Sequence, residues 1–271
     1  MVVVSESRVA IAGLGAVGKV IATELDKGIP GLRLTAVSAK NKDKATEFVA
    51  QLGRSVPVVD LDALIDHADV IVECAPPELL PRIAAPVLAA GKKLVVLSVG
   101  ALLAHPELKE AAIDNGGSIL VPTGALIGLD AVVAAAEGTI HSVRMTTRKP
   151  LQGLAGAPYL VENGIDVGAI TCPTKIFSGT AREAAKGFPA NLNVSVALSL
   201  AGVGPDLTML EVWADPTVTR NTHHIEVDAD TASFNMTIEN IPSENPKTGL
   251  ITARSAIALL RKLGAPIKVG T

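Results

Sequence analysis

Aromatic residues are scarce in this chain, since Trp, Tyr and Phe together make up 2% of its 271 residues. Proteins that bind single-stranded nucleic acid stack the bases on aromatic side chains. The net charge of −3 also provides no basic surface for a phosphate backbone. The composition therefore argues against a nucleic-acid partner.

Long apolar runs and cysteine motifs are missing as well. No run approaches the roughly 20 residues that a membrane-spanning helix needs, and residues 1–8 lack the pattern of a secretory signal. The two cysteines, Cys74 and Cys172, form neither a disulfide framework nor a CxxC metal pair. We expect a reduced cytoplasmic protein with no membrane partner and no metal.

Aliphatic residues supply most of the apolar volume that is present. The hydrophobic fraction is 48% and the charged fraction 19%, which is typical of a globular protein. Ala, Val, Leu and Ile suit parallel strands that are covered by helices on both faces. The length allows one large domain or two modest ones.

The first 122 residues alternate short β-branched runs with helical stretches. This alternation predicts βαβ units and a doubly wound parallel sheet of the Rossmann type. The predicted strands are 9–12, 32–38, 69–73, 94–97 and 118–121, and the predicted helices are 17–26, 42–52, 78–90 and 105–115.

The regular alternation of strands and helices ends at Pro122, and the pattern of the second half predicts a smaller α+β domain. Short turns join its last three predicted strands, which favours a largely antiparallel sheet. The predicted elements are a helix at 125–136, a strand at 139–148, a loop at 149–172, a helical region at 180–201 interrupted at Pro189, strands at 209–214, 222–227 and 232–239, and a helix at 248–263. We expect domains at 1–122 and 123–245, with the helical segment 246–271 packing back on the first.

The clearest local motif is GLGAVG at residues 13–18, between the first strand and the first helix. In this context GxGxxG is the fingerprint of a dinucleotide site. The first glycine permits a tight turn, the second lets the backbone approach a pyrophosphate, and the third allows close helix–strand packing. The predicted cofactor-binding residues of this loop are Gly13, Gly15, Ala16, Val17 and Gly18.

The acidic residue that usually follows this motif at the end of the second strand is absent. The strand runs into Ser38, Lys40 and Lys42, with no carboxylate before Asp43. A serine and a lysine suit the 2′-phosphate of NADP, so either NAD or NADP is possible with NADP modestly favoured. Cys74 and Ala75 follow the predicted strand 69–73, and residues 98–101 follow the predicted strand 94–97. Both loops are expected at the same edge of the sheet as further cofactor contacts.

Three segments of the second half complete a family resemblance. The first is PTGALIGLD at 122–130, and the second is FSGTAREAA at 177–185 with FPANLNV at 188–194. The third consists of Ala214-Asp215-Pro216, RNTHHIEV at 220–227, Glu239-Asn240 and ENPKT at 244–248. Together with the glycine loop they resemble the L-aspartate dehydrogenase family over nearly the whole chain. The resemblance implies a homodimer that reversibly deaminates L-aspartate to oxaloacetate and ammonia through iminoaspartate, which can feed pyridine nucleotide biosynthesis.

The resemblance also implies roles for particular residues. The family's catalytic histidine falls on His223, and its nicotinamide-side contacts fall on Ala125 and Asn193, with Asn191 close enough that the choice between the asparagines stays open. The chemistry points the same way, because imine hydrolysis needs a group that titrates near neutrality. His223 and His224 are neighbours on a predicted strand, so only one of them can face the site.

A dicarboxylate substrate needs cationic or amide donors. The candidates are Arg182, Asn191, Asn221 and Thr222, with Lys175, Arg220 and Lys247 as further cations. Other interpretations remain open: a related NAD(P)-dependent amino-acid or imine reductase with another substrate, or a non-catalytic dinucleotide-binding sensor.

Overall fold

The computed structural model of the chain describes residues 6–189, 192–243 and 249–270. The chain forms two compact units. One comprises Met1–Pro122 with Ala253–Val269, and the other Thr123–Thr252 with Gly270–Thr271. Within the described residues, no helix is long and apolar enough to cross a bilayer.

The first unit contains a five-stranded, entirely parallel sheet in the order β2-β1-β3-β4-β5. The predicted doubly wound sheet is confirmed. Its strands are β1 (Ser7–Ala12), β2 (Leu32–Ser38), β3 (Val70–Glu73), β4 (Lys93–Val96) and β5 (Ser118–Leu120). The helices between them are α1 (Ala16–Lys27), α2 (Lys42–Val49), α3 (Leu64–His67), α4 (Leu80–Ala89) and α5 (Glu107–Asn115).

Strand alternation divides the core of this unit into two layers. Val9 and Ile11 of β1 face one layer, whereas Ala10 and Ala12 face the other. The first layer also contains apolar residues of α1 and, from the C-terminal helix Leu250–Gly264, Ala256, Ile257 and Leu260. Both faces of the sheet are therefore covered, and its polar functions are left to the strand ends.

The second unit contains a mixed five-stranded sheet in the order β10-β9-β6-β8-β7. The β6–β8 pair is parallel and the other three pairs are antiparallel, as the prediction of a largely antiparallel sheet requires. The strands are β6 (Ile140–Lys149), β7 (Thr174–Thr180), β8 (Thr208–Ala214), β9 (Asn221–Ala229) and β10 (Ser233–Asn240). The helices of this unit are α6 (Leu129–Ala135), α7 (Pro158–Glu162), α8 (Ala181–Gly187) and α9 (Asn193–Ala201). The C-terminal helix, α10, belongs to the first unit from Ala253 onward.

One face of this second sheet is buried and the other is polar. On β6, Val143, Met145, Thr147 and Lys149 are buried, while the residues between them are wholly or partly exposed. β9 alternates in the same way. The buried face turns polar towards the end of β6, which is where the site described below begins.

The structure corrects four of the predicted elements. The helix expected at 125–136 begins only at Leu129, because Gly124 and Gly128 adopt left-handed backbone conformations (φ +63° and +68°) that break it. The helix expected at 42–52 ends at Val49. The expected loop 149–172 contains α7, and the strand β7 that follows it is absent from the sequence prediction.

Half of the chain's few aromatic residues pack together in this unit. Tyr159 of α7 lies edge-on to Phe177 of β7, with ring centroids 5.2 Å apart, and 5.3 Å from Phe188 after α8. A side chain at Gly187 would meet Tyr159 Cβ at 2.8 Å. The cluster therefore joins α7 and β7, the two elements that the sequence prediction missed.

Candidate active site

The glycine loop of the first unit forms a backbone cradle at the start of α1. Gly13 has a φ of +104°, and a Cβ there would lie 2.5 Å from the Cys74 carbonyl oxygen. A Cβ at Gly18 would lie 2.0 Å from the Gly13 oxygen, whereas one at Gly15 would meet nothing within 4 Å. The outer two glycines are thus required by packing, and the middle one leaves open room at the helix N-terminus for a diphosphate. The residues present fit a dinucleotide.

The neighbouring strand ends bring the other predicted cofactor residues to this loop. The Gly13 N–H donates to the Ser38 oxygen at 2.8 Å, and the Cys74 N–H donates to the Ala12 oxygen at 2.8 Å. Burial raises the pKa of the Cys74 thiol well above its usual value, so this cysteine is a packing residue and not a nucleophile. Ala16 and Val17 open α1, and Ala75 follows Cys74.

Glu73, which the sequence interpretation missed, joins two loops at this edge of the sheet. Its fully buried carboxylate accepts hydrogen bonds from the N–H groups of Ala75, Leu97 and Ser98 at 3.0, 3.1 and 2.8 Å. The Ser98 hydroxyl donates a further one at 3.0 Å. Burial raises the pKa of this carboxyl above its usual value, against the opposing effect of these donors. In the sequence, the indication of this role is one acidic residue at the end of the otherwise apolar strand β3.

The end of β2 presents one lysine that carries no ion pair in the described part of the chain. Lys42 Nζ lies 2.7 Å from Asp60 Oδ1, and Asn41 caps α2 by accepting from the Lys44 N–H at 2.9 Å. Lys40 is exposed beside Ser38. Of the two lysines considered for a 2′-phosphate, Lys40 is therefore the one whose charge is available.

In the second unit, His223 lies on the buried face of β9 opposite Thr147 of β6. It is 2% exposed, and its Nδ1 lies 2.7 Å from the Thr147 hydroxyl oxygen. Burial and, to a smaller extent, the nearby positive charge of Lys149 together lower the pKa of His223 to about 3. His224 points to the other face, where Nδ1 contacts the Thr237 hydroxyl at 2.8 Å. The predicted opposition of the two histidines is confirmed.

Three more buried polar side chains accompany His223 on this face. Asn221 of β9 is opposite Asn240 of β10, and the Asn240 Nδ2 donates to the Ala125 oxygen at 3.0 Å. Lys149, at the end of β6, is 2% exposed, and burial lowers its pKa to about 8. The structure therefore brings together the predicted His223, Asn221 and Ala125, and adds Thr147, Lys149 and Asn240.

Other predicted substrate ligands lie elsewhere. Arg182 binds Asp206 through two hydrogen bonds of 2.6 and 2.8 Å at the start of α8, beside the opposite end of β8 from Lys149. Thr222 faces away from His223. Asn193 is the first residue of α9, and Asn191 and Lys247 lie outside the described residues.

Comparison with known proteins identifies the family. Residues 130–263 match the family described as aspartate dehydrogenase, C-terminal, and residues 13–122 match the homoserine dehydrogenase NAD-binding domain. The chain is 60% identical over 267 residues to L-aspartate dehydrogenase 3 of Bordetella bronchiseptica, covering 98% of each chain. The chain belongs to the L-aspartate dehydrogenase family.

A second relative agrees with this assignment, and a solved structure shares the fold. L-aspartate dehydrogenase of Bradyrhizobium diazoefficiens is 61% identical over 267 residues, covering 98% of this chain and 95% of that one. The structure of aspartate dehydrogenase from Thermotoga maritima shares the fold, with a TM-score of 0.72 at 24% identity over 98% of this chain and 100% of that one. The predicted family, fold and enzyme class are confirmed, and the protein is an NAD(P)-dependent oxidoreductase.

The cradle predicts opposite outcomes for two glycine substitutions. Gly18→Ala places a methyl group against the Gly13 backbone and should lower the melting temperature sharply. Gly15→Ala places it in open space where the diphosphate would lie. We expect Gly15→Ala to fold like the wild type but to bind NADH at least ~10-fold more weakly, measured by fluorescence titration. Tight NADH binding by a folded Gly15→Ala variant would contradict this position for the diphosphate.

The charge at the end of β2 predicts an effect on cofactor preference. Lys40→Asp should move the ratio of kcat/KM for NADP and NAD towards NAD, because a carboxylate repels the 2′-phosphate of NADP and accepts a hydrogen bond from the ribose hydroxyl of NAD. The matched control is Lys109→Asp on α5, which makes the same change in net charge at an exposed site. An equal ratio in the two variants would remove Lys40 from cofactor recognition.

The burial of neutral His223 predicts an acid-dependent loss of stability. Between pH 6.5 and about 3, the histidine takes up a proton in the unfolded chain but not in the folded one. Its contribution is complete above pH 6.5 and falls by about 1.4 kcal/mol per pH unit below it. Denaturant unfolding from pH 7 to 5 should therefore show a shallower pH dependence for His223→Gln than for the wild type. Equal slopes for the wild type and His223→Gln would contradict the burial of a neutral imidazole at this position.

Proposed function

We propose that this chain catalyses the reversible oxidative deamination of L-aspartate to oxaloacetate and ammonia through iminoaspartate, with His223 as general acid and base. The observation that carries the proposal is a histidine kept neutral on a buried polar face, with its Nδ1 on Thr147. The 60% identity to a full-length L-aspartate dehydrogenase supports the choice of substrate.

NAD or NADP, when bound, supplies the acceptor for the hydride that leaves Cα of aspartate. The amine loses one proton as the C=N bond of the imine forms, water then adds to the imine carbon, and ammonia leaves as the carbonyl of oxaloacetate forms. His223 is the group that moves these protons. With its Nδ1 proton donated to the Thr147 oxygen, Nε2 has a free lone pair to accept a proton from the attacking water and return it to the departing ammonia.

The other residues divide between cofactor and substrate. We assign the diphosphate to Gly13, Gly15, Ala16, Val17 and Gly18, the ribose to Ser38 and Lys40, and the neighbouring strand end to Cys74 and Ala75. Ala125 and Asn193 remain our choice for the nicotinamide side. Asn221 and Asn191 serve the substrate, and Asn191 is also the alternative to Asn193. Arg182 and Thr222 are left out, because Arg182 binds Asp206 and Thr222 faces away from His223.

We further propose that residues 1–122, with the C-terminal helix, form the cofactor domain and that 123–245 form the substrate and dimerisation domain of a cytoplasmic homodimer supplying pyridine nucleotide biosynthesis. The outer face of the second sheet supports dimerisation. On this face Trp213 is half-buried, and the centroid of its ring lies 4.7 Å from the Arg148 guanidinium. Both cysteines are free thiols, which suits a reducing compartment.

The function is tested by adding oxaloacetate and ammonium to the enzyme and following NADH and NADPH oxidation in parallel. We expect ammonia-dependent oxidation, and the ratio of the two rates measures cofactor preference. His223→Ala should lower kcat at least ~100-fold, as loss of one acid–base group does, with NADH binding unchanged.

The neighbouring histidine provides the control. His224→Ala removes an imidazole from the same strand but from the opposite face, and should retain near-normal kcat. Near-normal turnover by His223→Ala would contradict the assignment of His223 as the general acid and base. No oxidation by a wild-type protein that binds NADH would point to another oxo-acid substrate or to a non-catalytic sensor.

A further inference from the structure

The buried polar face of the second sheet is organised in two rows that run across the strands. The register aligns Val212, Thr147, His223 and Ile238 in one row. Two residues further along, it aligns Ala214 with Lys149 and Asn221 with Asn240. Extending the β6–β9 register by one position sets Lys149 opposite Asn221. One row therefore holds the proposed base, and the next holds Lys149, Asn221 and Asn240.

Lys149 is a buried cation whose charge no group in residues 6–189, 192–243 and 249–270 neutralises. It is 2% exposed, and its ammonium group makes no hydrogen bond or ion pair within these residues. Burial lowers its pKa accordingly. Burying an uncompensated ammonium group is costly. Such a cation is expected where a ligand supplies the negative charge.

The cations that the sequence suggested for substrate binding are already neutralised. Arg182 binds Asp206, Lys175 lies 3.0 Å from Glu211, and Arg220 lies 3.7 Å from Glu239. Lys149 alone combines burial beside His223 with an unmatched charge among these described candidates. It is therefore the strongest receptor for a substrate carboxylate on this face.

The two asparagines of the same row offer the complementary chemistry. Asn221 Oδ1 and Asn240 Oδ1 are buried and accept no hydrogen bond within the described residues. The Asn240 amide is oriented by its Nδ2 bond to the Ala125 oxygen, so its Oδ1 remains an acceptor. Buried acceptors without donors cost stability unless a ligand supplies the N–H groups.

We propose that Lys149, Asn221 and Asn240 form the receptor for the α-amino-acid group of the substrate, with the Lys149 ammonium on the α-carboxylate and the two Oδ1 atoms on the amine. The two charged groups of an amino acid are attached to one carbon, so a cation and amide oxygens in one row fit both. His223 in the next row then lies beside the carbon where the imine forms. This inference rests on the proposed function, because it takes an amino dicarboxylate as the substrate.

Lys149→Met tests the carboxylate half of the receptor. Methionine keeps most of the side-chain volume but removes the charge, so KM for L-aspartate and oxaloacetate should rise about 10- to 100-fold, the scale of a lost charge-assisted hydrogen bond. KM for NADH should not change. The melting temperature should stay equal or rise, because an uncompensated buried charge has been removed. Lys175→Met, whose lysine pairs with Glu211, is the matched control and should change neither KM.

Two substrate amides identify the carboxylate that Lys149 binds. L-asparagine keeps the α-carboxylate and L-aspartate α-amide lacks it, and both are measured as competitive inhibitors. We expect Lys149→Met to weaken L-asparagine about 10-fold or more and to leave the α-amide unchanged. Equal weakening of both amides, weakening of the α-amide alone, or an unchanged KM for L-aspartate would each overturn the assignment.

Asn221→Ala tests the amine half. In the reductive direction, KM for ammonium should rise by about 10-fold while KM for NADH stays constant. An unchanged KM for ammonium would overturn this half. Failure of the function itself is seen separately, because wild-type turnover and the His223→Ala variant decide it without any change at Lys149 or Asn221.

Discussion

Two basic side chains share one buried sheet face in the second unit, and they cannot both be charged at low cost. Burial disfavours the charged form of Lys149 and His223 alike, and their mutual repulsion adds to the effect on the histidine. The lysine, with the higher intrinsic pKa, keeps its proton at neutral pH, and the histidine stays neutral. The charged lysine and the neutral histidine thus both follow from burial on one sheet face and from the repulsion between the two groups.

In the first unit, a buried carboxylate holds the strand ends near the cofactor loop. Glu73 lies at the end of β3 and gathers donors from the segments after β3 and β4, so these two chain turns are held by one buried group. In the glycine loop, the absence of side chains at Gly13 and Gly18 allows the backbone segments to pack against each other. Rigid strand ends, and not long flexible loops, therefore position the backbone that receives the cofactor.

The fold of the first unit was accessible from the sequence because its βα alternation is regular, and the glycine loop was accessible because its context is local. The second unit was harder, because β7 contains Ser178 and Gly179 near its end and its partner β8 comes nearly thirty residues later. Lys149 begins a segment rich in Gly and Pro, which predicts a loop, and only its pairing within the sheet reveals which face it occupies. The sequence suggests Arg182 as a substrate ligand, but its charge is neutralised by Asp206, which is distant in sequence. Local patterns gave the strands and the histidine pair, whereas long-range pairing decided which charges are free.

The proximity of Lys149 to His223 also makes the strength of the base depend on what is bound. The positive charge of Lys149 lowers the pKa of His223 in the free protein. A carboxylate on Lys149 would neutralise that charge and remove its contribution, so His223 becomes a better proton acceptor when the α-carboxylate is in place. A ligand without this carboxylate would leave the histidine in its weaker state. The same contact that recognises the substrate would therefore help to prepare the base, and discrimination would be expressed in turnover as well as in binding.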